Sequence, residues 1–416
     1  MLRSISCQGL RLRQSLFILA TMMMMPPVFL ACNTARKTVQ AAPGAVDTLI
    51  QWQVRKDYVF ANGIGFSNRF AGARLNAVRQ QNDSSFTITI LPENEPINPS
   101  PWYAFKVWAA QQQPVYITLQ YPSTKHRYDP KQSSDGLHWQ DIKPVQVAAG
   151  EKQATFTAYA GPDTLLIAAQ ELISSADGNR WMDSIAVLPH INQQVVGKSR
   201  QGKPIRMLTS TGSDGKKLVV VLSRQHPPEV TGYMAMQEFV RTVTGPGALA
   251  QRFRQQYELV LFPLLNPDGV DEGNWRHSAG GVDLNRDWEL FAQPETRAVK
   301  ETVESLVRKQ QANVEFMLDF HSTYYDIFYI NQLTDPLASN RPGFTEAWLA
   351  AMKAAIPGFK PNIKPSGNGG NVSKGWFSRA FGAEALTYEV GDNTSREQLR
   401  LKGRVAAEEM MKLLLQ

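Results

Sequence analysis

Two runs of apolar residues in the second half of the chain are each followed closely by residues that can bind a metal. Residues 218–222 (LVVVL) precede His226 and Glu229, and residues 316–320 (FMLDF) end directly before His321. Apolar runs of this length are typical of strands in an α/β sheet, and ligand sites collect at the carboxyl ends of such strands. We therefore expect the second half to fold around a sheet that brings these polar groups together.

The pattern between and after these runs supports an α/β fold class. Apolar residues recur with helical spacing in four segments, namely 230–243, 295–309, 344–355 and 395–415. Strands that alternate with helices indicate an α/β domain. We predict that this domain covers residues 190–416.

Residues 43–185 carry a different pattern. Short runs with alternating apolar and polar residues, such as 85–90 (SFTITI) and 114–119 (PVYITL), are separated by turn-forming residues about every ten positions. This pattern is typical of an all-β sandwich. We predict a sandwich over residues 43–185, with the boundary to the α/β domain near residues 183–192.

The charge of the chain gives little support for a polyanionic partner. The formal net charge is +7, but Arg3, Arg11 and Arg13 lie in residues 1–31, where there is no acidic residue. Without these three arginines the balance falls to +4. No basic run or basic–aromatic stripe is present, so no nucleic-acid partner is predicted.

The first thirty residues resemble an export signal. The three arginines precede a short apolar stretch, residues 15–25, and residues 29–32 (FLAC) resemble a bacterial lipoprotein cleavage box in which Cys32 would carry the lipid. The alternative is simple cleavage near residues 39–41. We predict a lipoprotein-type signal over residues 1–31 and a periplasmic or outer-membrane-anchored location in a bacterium.

Cysteine usage limits the chemistry of the mature chain. Cys7 and Cys32 are the only cysteines, and both lie in the N-terminal segment. Disulfides, thiol catalysis and cysteine ligation of zinc are therefore excluded downstream of that segment. Any metal must be held by His, Asp or Glu.

The residues at the two strand ends can form one metal site. A His and a Glu three positions apart can bind a zinc ion with a third ligand from elsewhere in the fold. With His321 as that ligand, one coordination position stays open for water, as in a catalytic zinc site. The remaining histidines lack this context and are interpreted as surface or structural: His126, His138, His190 and His277.

Residues 217–416 resemble the catalytic domain of the zinc carboxypeptidases, and they are most similar to the cytosolic-carboxypeptidase branch and its bacterial relatives. The matching segments, in chain order, are 226–229 (HPPE), 266–270 (NPDGV), 273–276 (GNWR), 281–288 (GVDLNRDW), 319–322 (DFHS) and 387–389 (TYE). That branch carries a small β-sandwich before its catalytic domain. The resemblance therefore implies a mixed-sheet α/β/α zinc carboxypeptidase domain preceded by an all-β sandwich.

The resemblance also assigns roles around the metal. His226, Glu229 and His321 would bind one zinc ion per chain. Asp283 would accept the free ring N–H of His226 and so fix its orientation. Glu389 would act as the general base that takes a proton from water and passes it to the leaving amine.

Three further residues would bind the substrate, a peptide with a free C-terminal carboxylate. Arg276 would stabilise the developing oxyanion. Asn285 and Arg286 would hold the terminal carboxylate, the arginine through a bidentate pair. Structural alternatives stay open, because Arg286 could be an ion-pair partner, Asn285 a turn residue and Glu389 a strand-end acid.

The chain departs from the pancreatic members of the family in one segment. Those enzymes carry a mobile tyrosine about twenty positions before the catalytic glutamate, whereas residues 365–371 (PSGNGGN) contain none. Tyr324 or Tyr325 could help to close the site instead. Lys374 lies where the family's specificity pocket is usually built. If it points inward, an acidic terminal residue is favoured; the alternative, slightly preferred, is a solvated surface lysine.

Three functions are compatible with these residues. The first is a zinc carboxypeptidase acting on peptides, including peptidoglycan stem peptides. The second is a deacylase of N-acyl amino acids, and the third is a binding protein that has lost catalysis. The NPDG and GxDLNR segments and the sandwich favour the first, and the occupied catalytic positions disfavour the third.

Overall fold

The computed structural model describes residues 49–331, 339–366 and 371–416. These residues belong to one compact unit, Ala42–Gln416. The predicted signal, residues 1–31, and the predicted lipid-anchor residue Cys32 lie outside the described residues. Within them, no helix combines the length and the apolar character that a membrane crossing requires.

The N-terminal part of the described chain, residues 49–168, is called the β region. Short strands account for its regular structure: β1 (Asp57–Val59), β2 (Gly65–Ser67), β3 (Ala77–Gln80), β4 (Ser85–Thr89), β5 (Ala104–Trp108), β6 (Gln113–Gln120), β7 (Lys131–Ser133), β8 (Gln140–Asp141), β9 (Gln146–Val147), β10 (Gln153–Ala160) and β11 (Leu165–Ala168).

These strands form two sheets that share one core. One sheet has the order β1-β2-β5-β11-β7-β8 and the other the order β3-β4-β6-β10-β9. Along β6, Val115, Ile117 and Leu119 are buried, while the residues between them are more exposed. The rings of Phe66 and Phe86, one from each sheet, lie 5.0 Å apart. Apolar side chains thus alternate into a shared core, and the predicted β-rich half is confirmed.

The C-terminal part, residues 175–416, is called the α/β region. Its helices are α1 (Ser175–Ala186), α2 (Val230–Thr244), α3 (Ala248–Arg254), α4 (Pro267–Glu272), α5 (Pro294–Gln310), α6 (Phe344–Ala355), α7 (Ser373–Phe381) and α8 (Arg396–Leu414). Its strands are β12 (Ile191–Lys198), β13 (Pro204–Ser210), β14 (Lys217–Ser223), β15 (Glu258–Phe262), β16 (Asn313–Thr323), β17 (Ile327–Asn331), β18 (Ile363–Ser366) and β19 (Glu384–Gly391).

The described strands of the α/β region form one mixed sheet with the order β12-β13-β15-β14-β16-β19-β17-β18. Its centre is parallel, since β14 pairs in parallel with β15 and β16, and β16 pairs in parallel with β19. Val219 and Val221 face a core shared with α2 and α8, whereas Val220 and Leu222 face a core shared with α5 and α7. Burial of each such side chain contributes about 1.5–3 kcal/mol. The predicted mixed-sheet α/β/α fold is confirmed.

Four of the helices, α2, α5, α6 and α8, lie where apolar spacing predicts them, within about two residues at each end.

The last residues of the span predicted as sandwich form helix α1. Ser174 begins the helix with a capping box that includes Asp177. The helix packs on α2 and α4 of the α/β region. The ring centroids of Trp181 and Tyr233 lie 6.1 Å apart, and Ser175 N donates to Asp271 Oδ1 at 2.8 Å. Polar turn residues dominate its sequence, which hides the helical spacing.

Candidate active site

The predicted site residues gather at the carboxyl ends of the central parallel strands. His226 lies three residues after the end of β14, His321 lies near the end of β16 and Glu389 near the end of β19. The last two are register partners across the parallel pair. Glu229 lies at the N-terminal end of α2, the helix that follows β14. The strand order therefore brings together residues that are far apart in sequence.

Three residues converge as the metal-ligand trio: His226, Glu229 and His321. All three are buried, and their ligand atoms lie within 4.8 Å of one another. Glu229 Oε1 is 2.8 Å from His226 Nδ1, and Glu229 Oε2 is 2.7 Å from His321 Nδ1. The two Nδ1 atoms lie 3.1 Å apart. A His, Glu and His set of this size matches a catalytic zinc site.

The outer nitrogens of both imidazoles are held by carboxylates. His226 Nε2 lies 2.8 Å from Asp283 Oδ1, and His321 Nε2 lies 3.0 Å from Asp319 Oδ2. These contacts assign the ring N–H to Nε2 in each histidine. Once no proton occupies Nδ1, both Nδ1 lone pairs and the Glu229 carboxylate are available to one cation between them. The trio therefore fits a divalent cation.

The electrostatics of the trio favour a cation as well. Burial acts to raise the pKa of Glu229, but the imidazoles of His226 and His321 hold it well below its usual value. Burial acts to lower the pKa of His321, but Asp319 and Glu229 raise it well above its usual value. Carboxylate charge is thus concentrated around both rings, and a bound metal would neutralise it.

The loop that carries His226 is fixed by its neighbours. Arg224 has a φ of 57°, a conformation that residues other than glycine rarely adopt, and its Nε donates to Pro227 O at 3.0 Å. Asn266 Nδ2 donates to Gln225 O at 3.0 Å. The NPDG segment, residues 266–269, thus begins α4 and also supports the loop that carries His226.

Helix α2 approaches β16 closely at the metal site. A Cβ at Gly232 would lie 2.1 Å from the carbonyl oxygen of His321. Only glycine therefore allows the first turn of α2 to pack against the strand that bears the second histidine.

Asp283 links the metal site to the predicted oxyanion arginine. Its Oδ2 accepts from Arg276 Nε at 2.7 Å, while its Oδ1 faces His226. Burial acts against ionisation of Asp283, but His226 and Arg276 hold its pKa well below its usual value. One carboxylate therefore orients both a metal ligand and the guanidinium.

Glu389 is half-buried beside the trio. Its Oε2 is buried and has no hydrogen-bond partner among the described residues. Burial, followed by the nearby charge of Glu229, raises the pKa of Glu389 to about 7. Such a carboxyl can accept and return a proton near neutral pH.

The residues predicted to hold a carboxylate lie at the same pocket. Asn285 is buried, and its Oδ1 accepts from Ser373 N at 2.9 Å. Arg286 is exposed, and its Nη1 donates to Asn285 O at 2.7 Å.

A cavity of about 570 Å³ lies above the trio. Six of the eight predicted site residues line it: His226, Glu229, Arg276, Asn285, Arg286 and Glu389. The other two, Asp283 and His321, lie in contact with His226 behind the wall. The structure thus brings all eight together.

Lys374 and Tyr324 also line this cavity. Lys374 is only 3 % exposed, so the alternative of a solvated surface lysine does not hold. Its Nζ donates to Asn331 Oδ1 at 2.9 Å and to Ser366 O at 3.3 Å. Burial, with a smaller effect of Arg379, lowers the pKa of Lys374 to about 8.

The β region holds the loop that carries Arg276, a contact that no sequence pattern predicts. The carboxylate of Glu93, fully buried, accepts from three consecutive backbone N–H groups, those of Trp275 at 2.7 Å, Arg276 at 3.0 Å and His277 at 2.7 Å. Asn94 Oδ1 lies 2.6 Å from the ring of His277, so this histidine is structural. No motif or periodicity marks Glu93.

The β region also contributes Arg127 to the site, and no sequence pattern predicts this residue either. It lies in the loop between β6 and β7 and lines the catalytic cavity. Its Nε donates to Asp392 Oδ2 at 2.9 Å, just beyond the strand that bears Glu389.

Comparison with known proteins places part of the chain in a family. A family profile described as zinc carboxypeptidase matches residues 178–355. The chain is 28% identical over 153 residues to cytosolic carboxypeptidase 6 of Mus musculus, which covers 34% of this chain and 28% of that protein. It is 24% identical over 262 residues to an uncharacterized protein of Zymomonas mobilis, covering 61% and 66%. The chain thus spans between about a quarter and two thirds of these relatives.

Two solved structures share the fold over most of the chain. A metallo-carboxypeptidase from Burkholderia cenocepacia has a TM-score of 0.73 at 19% identity, covering 84% of this chain and 98% of its own. A metallo-carboxypeptidase from Pseudomonas aeruginosa, in complex with (2-guanidinoethylmercapto)succinic acid, has a TM-score of 0.67 at 20% identity, covering 84% and 98%. The alignments extend well beyond the residues that the family profile matches, so the β region is part of the shared fold.

Proposed function

The chain carries a zinc carboxypeptidase domain, and on that premise we propose that it removes C-terminal residues from peptides by zinc-dependent hydrolysis. The observation that carries the proposal is the convergence of two imidazole Nδ1 atoms and the Glu229 carboxylate beneath a cavity that Glu389 and Arg276 also line. Zinc held by the trio would supply Lewis-acid activation of water and of the scissile carbonyl.

Glu389 is proposed as the general base. Its pKa of about 7 allows it to take a proton from the attacking water and to return it to the leaving amine. The buried Oε2, which has no hydrogen-bond partner within the described part of the chain, supports this role, because a catalytic water can supply the missing hydrogen bond.

Arg276 is proposed to stabilise the oxyanion. Asp283 accepts a hydrogen bond from the guanidinium of Arg276, and Glu93 accepts one from the backbone N–H of the same residue. Little reorganisation is therefore needed as the negative charge develops. Mutagenesis of such donors in other enzymes costs about 100-fold to 1,000-fold in turnover.

Asn285 and Arg286 are proposed to bind the terminal carboxylate of the substrate. Both line the cavity, and a guanidinium is suited to a bidentate pair with a carboxylate. This pair would restrict the enzyme to the free C-terminus of a peptide.

Lys374 is proposed to favour an acidic terminal residue. It is a buried ammonium group whose hydrogen-bond partners among the described residues, Asn331 Oδ1 and Ser366 O, are neutral. A substrate carboxylate would provide the charge partner that a buried cation requires.

The export signal predicted for residues 1–31 leads to a further proposal, that the enzyme acts outside the cytoplasm as a periplasmic or lipid-anchored protein. Metabolic labelling with a fatty acid, compared between the natural chain and Cys32→Ser, tests the anchor. Equal labelling of both, or labelling of neither, would exclude it.

The hydrolytic function is tested by incubating the zinc-loaded protein with a mixed peptide library and identifying the products by mass spectrometry. We expect stepwise loss of C-terminal residues that Glu389→Gln abolishes and C-terminal amidation prevents. Glu289→Gln, a change of the same type at an exposed position, should hydrolyse the library as the unchanged protein does. If zinc is bound but no peptide is shortened, the proposal fails, and N-acyl amino acids and peptidoglycan fragments become the substrates to examine.

A further inference from the structure

Arg127 places a buried guanidinium of the β region at the catalytic cavity. Its side chain is only 6 % exposed, and the residue lines the cavity together with Ser100 and Tyr324. None of the chemistry proposed above uses it.

Two of the three guanidinium nitrogens have partners that fix the plane of the group. Nε donates to Asp392 Oδ2 at 2.9 Å, and Nη1 donates to Ser100 Oγ at 2.8 Å. The ring of Tyr324, itself 62 % exposed, lies 4.6 Å from the guanidinium carbon. The side chain is therefore held rigidly before any substrate binds.

The third nitrogen, Nη2, is buried and has no hydrogen-bond partner among the described residues. An unsatisfied buried donor costs about 1–3 kcal/mol, and more when the group is charged. Among the described residues that line the cavity, only Glu389 Oε2 is unsatisfied in the same way. Glu389 Oε2 has a role in the proposed reaction. The unsatisfied Nη2 of Arg127 indicates that a second group, a hydrogen-bond acceptor, arrives with the substrate.

The position of Arg127 along β19 indicates which part of the substrate it meets. Its partner Asp392 lies three residues after Glu389, past the end of the strand. Lys374 donates to Asn331, the last residue of β17. That strand runs antiparallel to β19, and its Tyr329 pairs with Thr387, which precedes Glu389 by two residues. Arg127 and Lys374 therefore lie on opposite sides of the general base.

We propose that Arg127 binds an acceptor oxygen on the acyl side of the scissile bond, beyond the scissile carbonyl itself. The acceptor is either the next main-chain carbonyl or the side-chain carboxylate of the penultimate residue. This inference rests on the proposed function, because it takes the terminal residue to lie toward Lys374. It makes the β region a part of the substrate-binding site.

The test measures binding by calorimetry, with the zinc-loaded Glu389→Gln protein as parent so that peptides stay intact. Three ligands are compared: N-acetyl-glutamate, N-acetyl-Ala-Glu, which adds one main-chain carbonyl, and N-acetyl-Glu-Glu, which adds a carboxylate as well. We expect the parent to bind one or both longer ligands about ten-fold more tightly than the shortest, and Arg127→Lys to lose this gain while binding N-acetyl-glutamate within about two-fold of the parent.

Arg127→Lys and one further variant separate ligand binding from folding. Arg127→Lys keeps a positive charge beside Asp392, and the double variant Arg127→Gln/Asp392→Asn removes the buried pair together, so neither leaves an uncompensated carboxylate. Arg69→Lys, at an exposed arginine of the β region, is the matched control and should retain the gain. Thermal melting of each variant checks that it is folded.

The outcomes distinguish this inference from the proposed function. A gain that Arg127→Lys retains, or a parent that binds none of the three ligands, overturns the role of Arg127. A gain for N-acetyl-Glu-Glu alone assigns the side-chain carboxylate, and a gain for both longer ligands assigns the main-chain carbonyl. If the protein with Glu389 intact hydrolyses no peptide but the gain is lost in Arg127→Lys, hydrolysis fails as a function while the binding site stands.

Discussion

The wall of the cavity built by the α/β region carries His226 and Glu229 of the metal-ligand trio, whereas the wall built by the β region carries Arg127 and supports the Arg276 loop through Glu93. The trio and the carboxylates that hold it all come from strand ends and loops of one sheet. The β region contributes none of these groups. The comparison suggests that metal binding depends on the α/β region alone, while turnover on peptides depends on both.

The largest effect is expected from a change within the trio. Glu229→Gln removes the only carboxylate that faces both Nδ1 atoms among the residues that the structure describes, so zinc affinity should fall by more than about 100-fold, since even residues outside the ligand set cost about 10–100-fold. Competition with a chelator measures the affinity. A Glu229→Gln protein that keeps its zinc would contradict the conclusion that metal binding depends on the trio of the α/β region.

The next effect is expected from the β region and should spare the metal. Glu93→Gln replaces an acceptor of three backbone N–H groups by a side chain with one acceptor oxygen, which disturbs the loop of Arg276. We expect zinc affinity within about three-fold of the unchanged protein and a loss of about 10–100-fold in kcat, with a smaller change in KM. Exposed Glu95→Gln is the control and should show neither change. Parallel loss of zinc and turnover would mean that the two walls are not separable.

A smaller and pH-dependent effect is expected at Lys374. Burial lowers its pKa to about 8, and the ammonium form needed to bind a carboxylate is lost as the pH rises through that value. For a peptide ending in glutamate, kcat/KM should therefore fall about ten-fold between pH 7 and pH 9, relative to a peptide ending in alanine. Lys374→Arg should remove the difference, because a guanidinium stays charged. Identical pH profiles for the two peptides in the unchanged protein would exclude Lys374 from specificity.

The smallest effect on the site is expected from Glu295, in the first turn of α5, which lies on the sheet face away from α2. Burial raises the pKa of Glu295 to about 7. The unfolded carboxyl ionises at lower pH than the folded one, so this residue makes stability fall as pH rises from about 4.3 to 7, and the penalty persists above 7. Glu295→Gln should then add about 1–3 kcal/mol at pH 8 and little at pH 4.5. Denaturation at both pH values measures it, with exposed Glu301→Gln as control; zinc affinity and kcat should not change.

The sequence predicts the trio because its signal is local. Apolar strands, the HxxE spacing and the motif segments lie within short stretches, and the parallel sheet aligns their ends. Asp319 could have been found in the same way, since residues two apart on a strand share a face, and it lies two before His321.

The groups that the sequence could not supply are joined over long separations. Glu93 and the Arg276 loop are 183 residues apart, and Arg127 and Asp392 are 265 residues apart. Polar pairs of this kind have no periodicity, and a buried glutamate has the same local sequence as an exposed one. Lys374 illustrates the same limit, because only the packing of α7 against β17 decides whether its ammonium faces the cavity.

The carboxylate of Glu93, surrounded by three backbone N–H groups, has a consequence for how such chains can change over generations. Exchange of the β region for an unrelated sandwich by recombination would leave those donors buried without an acceptor next to Arg276. A hybrid of that kind would inherit an intact metal site together with an impaired enzyme. The two parts of this chain should therefore be transmitted as a single heritable block, even though each is built around strands of its own.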